Sequence, residues 1–234
     1  MSRPKDISIR ALLREHVLLR DLPEVDLDRL GGLARVQTYD HGQTIFMKGD
    51  RAQGMMVVLE GCVRIGASSA EGKEVVLNTI HPGEIFGEIA LIDGVERTAD
   101  AVALETTELL ILDRKDFLPY LESRPDICVQ LLQLMCQRLR ATSEQLEDFS
   151  FLDLRHRIAK RLSYLASTDY AETDAENRVV VQITQQDLSA MMGTTREAVN
   201  KQLRIMIDEG LIEQRRGAIV VQNPDKLNSV LAER

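Results

Sequence analysis

Thr195, Arg196, Glu197, Asn200 and Lys201 stand within one short stretch of the 234-residue chain. Their side chains are of the kinds that read base edges. Arg bonds guanine O6 and N7 with two parallel N–H groups, and Glu accepts from cytosine N4. They can act together only if one rigid element carries them, so the flanking pattern decides. Thr184-Gln185-Gln186-Asp187 has capping-box form, imperfect because the third place holds the shorter Asp. It predicts a helix that runs to Met192 and stops at Gly193. In the next four residues, Thr194 and Glu197 match a full capping box for a second helix. Val199, Leu203 and Met206 form its buried stripe, which turns Arg196, Glu197, Asn200, Lys201 and Arg204 outward. Two short helices joined by a tight Gly turn make a helix-turn-helix. The run Leu211 to Val221 reads as a hairpin turning near Gly217, which adds a wing. The plainer alternative is a charged, solvated helix face.

A second concentration of chemistry is Pro82-Gly83-Glu84-Ile85-Phe86-Gly87-Glu88-Ile89-Ala90-Leu91, followed by Glu96-Arg97-Thr98-Ala99. It lies in a region of short β-rich runs, Met55–Leu59, Cys62–Ile65 and Glu74–Leu77, separated by glycines. Such spacing predicts a small all-β barrel or roll from Val36 to about Leu112. An amphipathic helix is expected before it, over 7–22. From Pro125 the period becomes helical. Ile127, Leu131, Leu134, Met135, Leu139, Leu146 and Phe149 recur mostly at steps of three, four or seven, over about 25 residues. The narrow stripe is similar to a coiled-coil seam, and packing on its own domain is the alternative. Asp153 is placed to cap a further helix, Leu154 to about Ala166.

Composition narrows the classes. No apolar run approaches the about 18–20 residues of a membrane span, and Met1 to Asp6 is followed by no apolar run of a secretory signal. Three scattered cysteines, Cys62, Cys128 and Cys136, offer no disulfide framework and suit a reducing compartment, so a cytoplasmic chain is expected. His16, His41, His81 and His156 show neither metal-ligand spacing nor a paired nucleophile, so no metal and no enzyme are expected. The net charge of −8 disfavours nucleic acid at first sight. From Phe151 to Arg234, however, 12 Lys and Arg balance 12 Asp and Glu, so the whole excess lies in the first 150 residues.

The segment from Pro82 to Ala99 resembles the phosphate-binding cassette of cyclic-nucleotide-binding domains. The likeness continues through Gln137-Arg138-Leu139-Arg140-Ala141-Thr142-Ser143-Glu144 and Phe151-Leu152-Asp153 to the helix-turn-helix. In order and nearly throughout, the chain is similar to the cAMP receptor protein (catabolite activator protein) family within the Crp–Fnr group. That resemblance implies an α+β chain with three parts. They are an N-terminal jelly-roll-like β-roll for cyclic nucleotide over 1–124, a long dimerisation helix and hinge over 125–152, and a winged helix-turn-helix over 153–234. It implies a cAMP-responsive transcriptional regulator that binds palindromic TGTGA-like DNA as a homodimer, with RNA polymerase as a further partner and no membrane.

In the implied pocket, Arg97 meets the cyclic phosphate with its planar fork. Gly87 lets backbone approach the ligand, and N–H groups near Glu88, Ile89 and Ala90 add donors. Glu88 accepts from the ribose 2′-hydroxyl, and Thr98 adds a hydroxyl to the phosphate. Thr142 meets the purine 6-position, and Ser143 meets the ligand of the other subunit. A hydroxyl donates and accepts, so cGMP is expected to bind but activate poorly. Glu88 and Arg97 as a structural ion pair inside the roll is the alternative.

At the DNA end, Thr184, Thr195, Arg196, Glu197, Asn200 and Lys201 are the implied contacts. Lys201 departs from the family's Arg and cannot repeat its bidentate bond. The rivals are a same-fold sensor of redox state, haem or another small ligand, a kinase-type regulatory subunit, and a DNA-binding protein that needs no ligand.

Overall fold

The computed structural model describes residues 23–51, 53–68, 74–168 and 171–231. The helix expected over 7–22 lies outside the described residues. The chain divides into two compact units. One comprises the described residues through Ser68 together with Leu77–Arg138. The other comprises the described residues from Leu139 onward with 74–76.

In the first unit, α1 (Glu24–Leu33) precedes eight strands, one of which, β5, has its first three residues in the second unit. These are β1 (Arg35–Tyr39), β2 (Thr44–Phe46), β3 (Gly54–Glu60), β4 (Val63–Ser68), β5 (Glu74–Ile80), β6 (Ile85–Phe86), β7 (Asp100–Ala103) and β8 (Thr107–Asp113). They form two four-stranded sheets, in the orders β1-β8-β3-β6 and β2-β7-β4-β5. The expected roll is thus present. The β-branched and aliphatic runs of β3 and β8 pair antiparallel, with Met56 opposite Ile111 and Val57 opposite Leu110. Alternation along these strands sends Met55 and Val57 to one buried cluster and Met56 and Val58 to another. Each such side chain contributes about 1.5–3 kcal/mol by leaving water.

Between β6 and β7 lies the short α2 (Glu88–Asp93), and after β8 come α3 (Arg114–Glu122) and α4 (Pro125–Phe151). The 27 residues of α4 match the length read from the sequence. Its apolar positions are not one stripe. Ile127 and Leu131 are buried in the roll's own core, with Leu134 packed against it. A different line, Val129, Leu132, Leu139 and Leu146, is exposed. The merged stripe was an error with a simple origin. In the first turns both faces of the helix are apolar, so a single periodic count mixes them.

In the second unit, α5 (Leu154–Ala166) starts at Asp153, whose side chain accepts from the His156 N–H. The strands β9 (Glu172–Thr173), β10 (Val179–Val181), β11 (Ile212–Arg215) and β12 (Ala218–Val221) form a sheet of order β11-β12-β10-β9. The β11–β12 hairpin turns at Gly217, whose φ of 76° is left-handed. Around it pack α6 (Gln185–Met192), α7 (Arg196–Asp208) and α8 (Pro224–Val230). Ile158, Leu162, Leu188, Val199, Leu203 and Met206 share the core. Among the described residues, no helix is long and apolar enough to cross a membrane.

Candidate ligand and nucleic-acid sites

The segment joining β6 to α2 is built around Gly87, which caps α2 in the left-handed region at φ 78°. A Cβ at this position would drive into Nη1 of Arg97. Sequence reasoning reserved that space for a ligand's approach. In the structure the Arg97 guanidinium fills it, because the carbonyls beside it are good acceptors for a buried cation.

Arg97 is 5% exposed. Nη1 donates to the Gly87 carbonyl at 2.9 Å and Nη2 to the Gly54 carbonyl at 2.7 Å. The guanidinium carbon lies 4.2 Å from the centroid of the Phe46 ring. Arg97 forms no ion pair among the described residues. Burial pulls its pKa below the usual guanidinium value, while the fields of Glu88 and Asp50 act in the opposite sense. A buried charge without a counter-ion is costly, so this position favours an anion.

Glu88 is 1% exposed and does not pair with Arg97. Its Oε1 meets Nη1 of Arg138 at 2.6 Å. Its Oε2 is buried with no hydrogen-bond partner. The structural ion pair weighed from the sequence therefore exists, but with a different arginine. Arg138 was missed as a site residue. Nothing in local spacing couples this helix residue to a segment fifty residues before it.

Ala90 is buried, whereas Ile89 and Thr98 are exposed. The N–H groups of Glu88, Ile89 and Ala90 open α2 and have no intrahelical acceptor. Gly87, Glu88 and Arg97 thus come together in one unit, where Arg97 has no ion-pair partner among the described residues and one Glu88 oxygen accepts no hydrogen bond. Thr142 and Ser143 are exposed on the part of α4 that belongs to the other unit. The Ser143 hydroxyl donates to the Leu139 carbonyl at 3.0 Å, so its own helix already satisfies it.

In the second unit the capping box of α6 is complete. The Thr184 hydroxyl accepts from the Asp187 N–H at 3.1 Å, and the Asp187 carboxylate accepts from the Thr184 N–H at 3.3 Å. Asp is long enough after all. Gly193 follows in the left-handed region at φ 59° and ends the helix. The second box is not formed as expected. Thr195, not Thr194, caps α7 and accepts from the Ala198 N–H at 3.2 Å. The Thr194 N–H instead closes the turn onto the Ser189 carbonyl at 3.1 Å. Two adjacent threonines score alike in sequence, and the turn's own hydrogen bond selects the second.

That cap places Arg196 and Glu197 in the first turn of α7, both exposed. Backbone N–H at the helix start, then the Thr195 hydroxyl, hold Glu197 below the usual carboxylate pKa. It therefore remains an acceptor. Arg196 Nε donates to Gln185 Oε1 at 3.3 Å, which ties the two helices. Lys201 and Arg204 are exposed. Asn200 is only half-exposed, contrary to the outward placement expected, and its Oδ1 is buried without a partner. Val199, Leu203 and Met206 are fully buried, as the spacing required.

The cyclic nucleotide-binding domain family matches residues 36–124, and the Crp-like helix-turn-helix domain family matches residues 156–230. The chain is 34% identical over 192 residues to the cyclic AMP receptor protein of Thermus thermophilus, covering 82% of this chain and 86% of that one. A solved CRP/FNR-family transcriptional regulator of Thermus thermophilus shares 29% identity, covers 86% of this chain and 100% of its own, and has a TM-score of 0.73. The c-di-GMP responsive global regulator of Xanthomonas campestris is similar in fold, with a TM-score of 0.78 at 22% identity over 86% of this chain and 100% of that one.

Proposed function

The chain belongs to the Crp-like family of cyclic-nucleotide-binding transcriptional regulators, and from that premise we propose that it is a cytoplasmic regulator whose binding to DNA is switched on by cAMP. The observation that carries this reading is the pair of unmet demands beside Gly87. Arg97 is a buried cation without a counter-ion, and Glu88 is a buried carboxylate with one oxygen lacking a donor. A cyclic phosphodiester supplies the first, and the ribose 2′-hydroxyl beside it supplies the second.

The roles follow. Arg97 neutralises the phosphate, assisted by N–H groups of Glu88, Ile89 and Ala90 and by the Thr98 hydroxyl. Glu88, held by Arg138, selects ribose. Thr142 meets the purine 6-position and Ser143 the nucleotide of the second subunit. The hydroxyl of Thr142 suits either purine, so cGMP binds but activates poorly. Val129, Leu132, Leu139 and Leu146 form the seam of a homodimer, in which two copies of α7 enter successive major grooves of a palindromic TGTGA-like site, about 34 Å apart. Thr184 and Thr195 contact the backbone; Arg196, Glu197, Asn200 and Lys201 face the bases. The nucleotide can shift the DNA-competent population only by its differential affinity for the two states, typically about 1–3 kcal/mol of coupling. RNA polymerase is the expected partner at the promoter.

The test is DNA retardation on a TGTGA-N6-TCACA duplex with no nucleotide, cAMP or cGMP, alongside calorimetric titration. Binding is expected with cAMP, and Arg97→Leu should weaken nucleotide binding by about 2–5 kcal/mol. Equal retardation without nucleotide, or DNA binding by Arg97→Leu that still responds to cAMP, overturns the reading.

A further inference from the structure

Phe46 lies far from the cassette in sequence, and its placement depends on an irregularity. β2 and β7 pair with Thr44 opposite Val102 and Phe46 opposite Ala101, so two steps of β2 match one of β7. In a regular strand Ile45 and Phe46 would face opposite ways. The bulge allows both to pack against the same core cluster. Phe46 is then backed by the buried Phe86, centroid to centroid 5.9 Å, and lies against the Arg97 guanidinium.

The main chain beyond Phe46 holds the same residue. The Gly49 N–H donates to the Arg97 carbonyl and the Arg97 N–H to the Asp50 carbonyl, each at 2.9 Å. The Asp50 carboxylate closes that turn by accepting from the Met47 N–H at 2.8 Å. Arg97 is thus anchored at its backbone by the 47–50 turn. Its two terminal nitrogens are held in plane by the Gly87 and Gly54 carbonyls, and one face of its guanidinium rests on Phe46.

We propose that Phe46 is a positioning residue for Arg97, and that by fixing the plane of the guanidinium it sets which exocyclic oxygen of a cyclic phosphodiester the protein prefers. The inference rests on the reading that Arg97 binds such a phosphate. A cyclic phosphodiester has two inequivalent exocyclic oxygens. A guanidinium free to rotate would serve either, whereas a clamped plane aims its remaining N–H groups at one. The ring supplies attraction to the cation as well as a wall.

The test measures binding of cAMP and of its two phosphorothioate diastereomers, in which sulfur replaces one or the other exocyclic oxygen. Titrations use the full chain, wild type, Phe46→Leu, Phe46→Met and Phe46→Tyr, with thermal melting of each unliganded protein. Ile65→Ala serves as a control that perturbs the same cluster. Phe46→Leu is expected to weaken cAMP binding roughly tenfold and to bring the diastereomer ratio close to one. Phe46→Tyr, which keeps the aromatic face, restores both. Phe46→Met fills the space without an aromatic face and behaves as Leu does, so it carries the test if Leu does not fold. Ile65→Ala lowers the melting temperature and leaves the ratio alone. An unchanged ratio in the Leu or Met protein overturns the inference by itself, as does an equal change in Ile65→Ala. A wild-type protein that binds none of the three nucleotides overturns the parent reading and this inference with it.

Discussion

Glu88 and Arg138 are joined by an ion pair of 2.6 Å in which the carboxylate is 1% exposed and the guanidinium 28% exposed. Arg138 also donates to the Ile85 carbonyl. The helix α4 is thereby bonded to the segment that opens α2, and the buried carboxylate proposed to select ribose is the one that Arg138 holds in place.

Breaking this pair from the arginine side strands a buried carboxylate. Removing one partner of a buried pair costs roughly 3–5 kcal/mol, and the partial exposure of Arg138 reduces this to about 2–3 kcal/mol. Arg138→Met should lower urea stability by that amount. Adding Glu88→Gln should recover most of the loss while nucleotide binding stays weak. A double variant no more stable than the single one would show that the two residues are not coupled.

The exposed line on α4 makes the proposed homodimer testable. Leu139 is 68% and Leu146 67% exposed in the single chain. A charge at such a position must be buried on association without a partner, which is costly. Leu139→Glu should sediment as a monomer at concentrations where the wild type is a dimer, with its helical circular dichroism retained.

The cap of α7 separates two adjacent threonines. Thr195→Ala should cost about 1 kcal/mol in the absence of DNA, the usual value of an N-cap side chain. Thr194→Ala should cost clearly less, because its role in the turn is played by its backbone N–H. Chemical denaturation of both variants checks the order.

A pH effect is expected in the loop joining β9 to β10. Asp174 accepts first from the Arg178 backbone N–H, then from the Arg178 and Arg215 side chains, which lowers its pKa from 3.8 to about 2. Its folded-state value is depressed, so its contribution to stability is complete above pH 3.8 and is lost as pH falls toward about 2. Melting temperature should fall more steeply across that window in the wild type than in Asp174→Asn.

What could be read from the chain followed from how far each signal reaches. The helix-turn-helix, its wing and the start of α5 rest on caps and spacings within a dozen residues, and these appeared where the pattern put them, except that the cap of α7 falls on Thr195 instead of Thr194. The roll was legible as strands, but the sequence did not show the bulge that brings Phe46 beside Arg97, since a bulge is a property of two paired strands. The partnership of Glu88 with Arg138 was hidden for the same reason. Thr194 against Thr195, and the two apolar faces of α4, were ambiguities of register, which only packing resolves.

The exposed line of α4 changes character along its length. Val129, Leu132, Cys136 and Leu139 continue as Ser143, Leu146 and Ser150. Both serines fold their hydroxyls back onto carbonyls of their own helix, at 3.0 Å and 2.8 Å. A zipper made from two such helices would be firmly toothed at the end nearer Pro125 and sparsely toothed toward Phe151. Its slack end would be the one from which the chain runs on into α5.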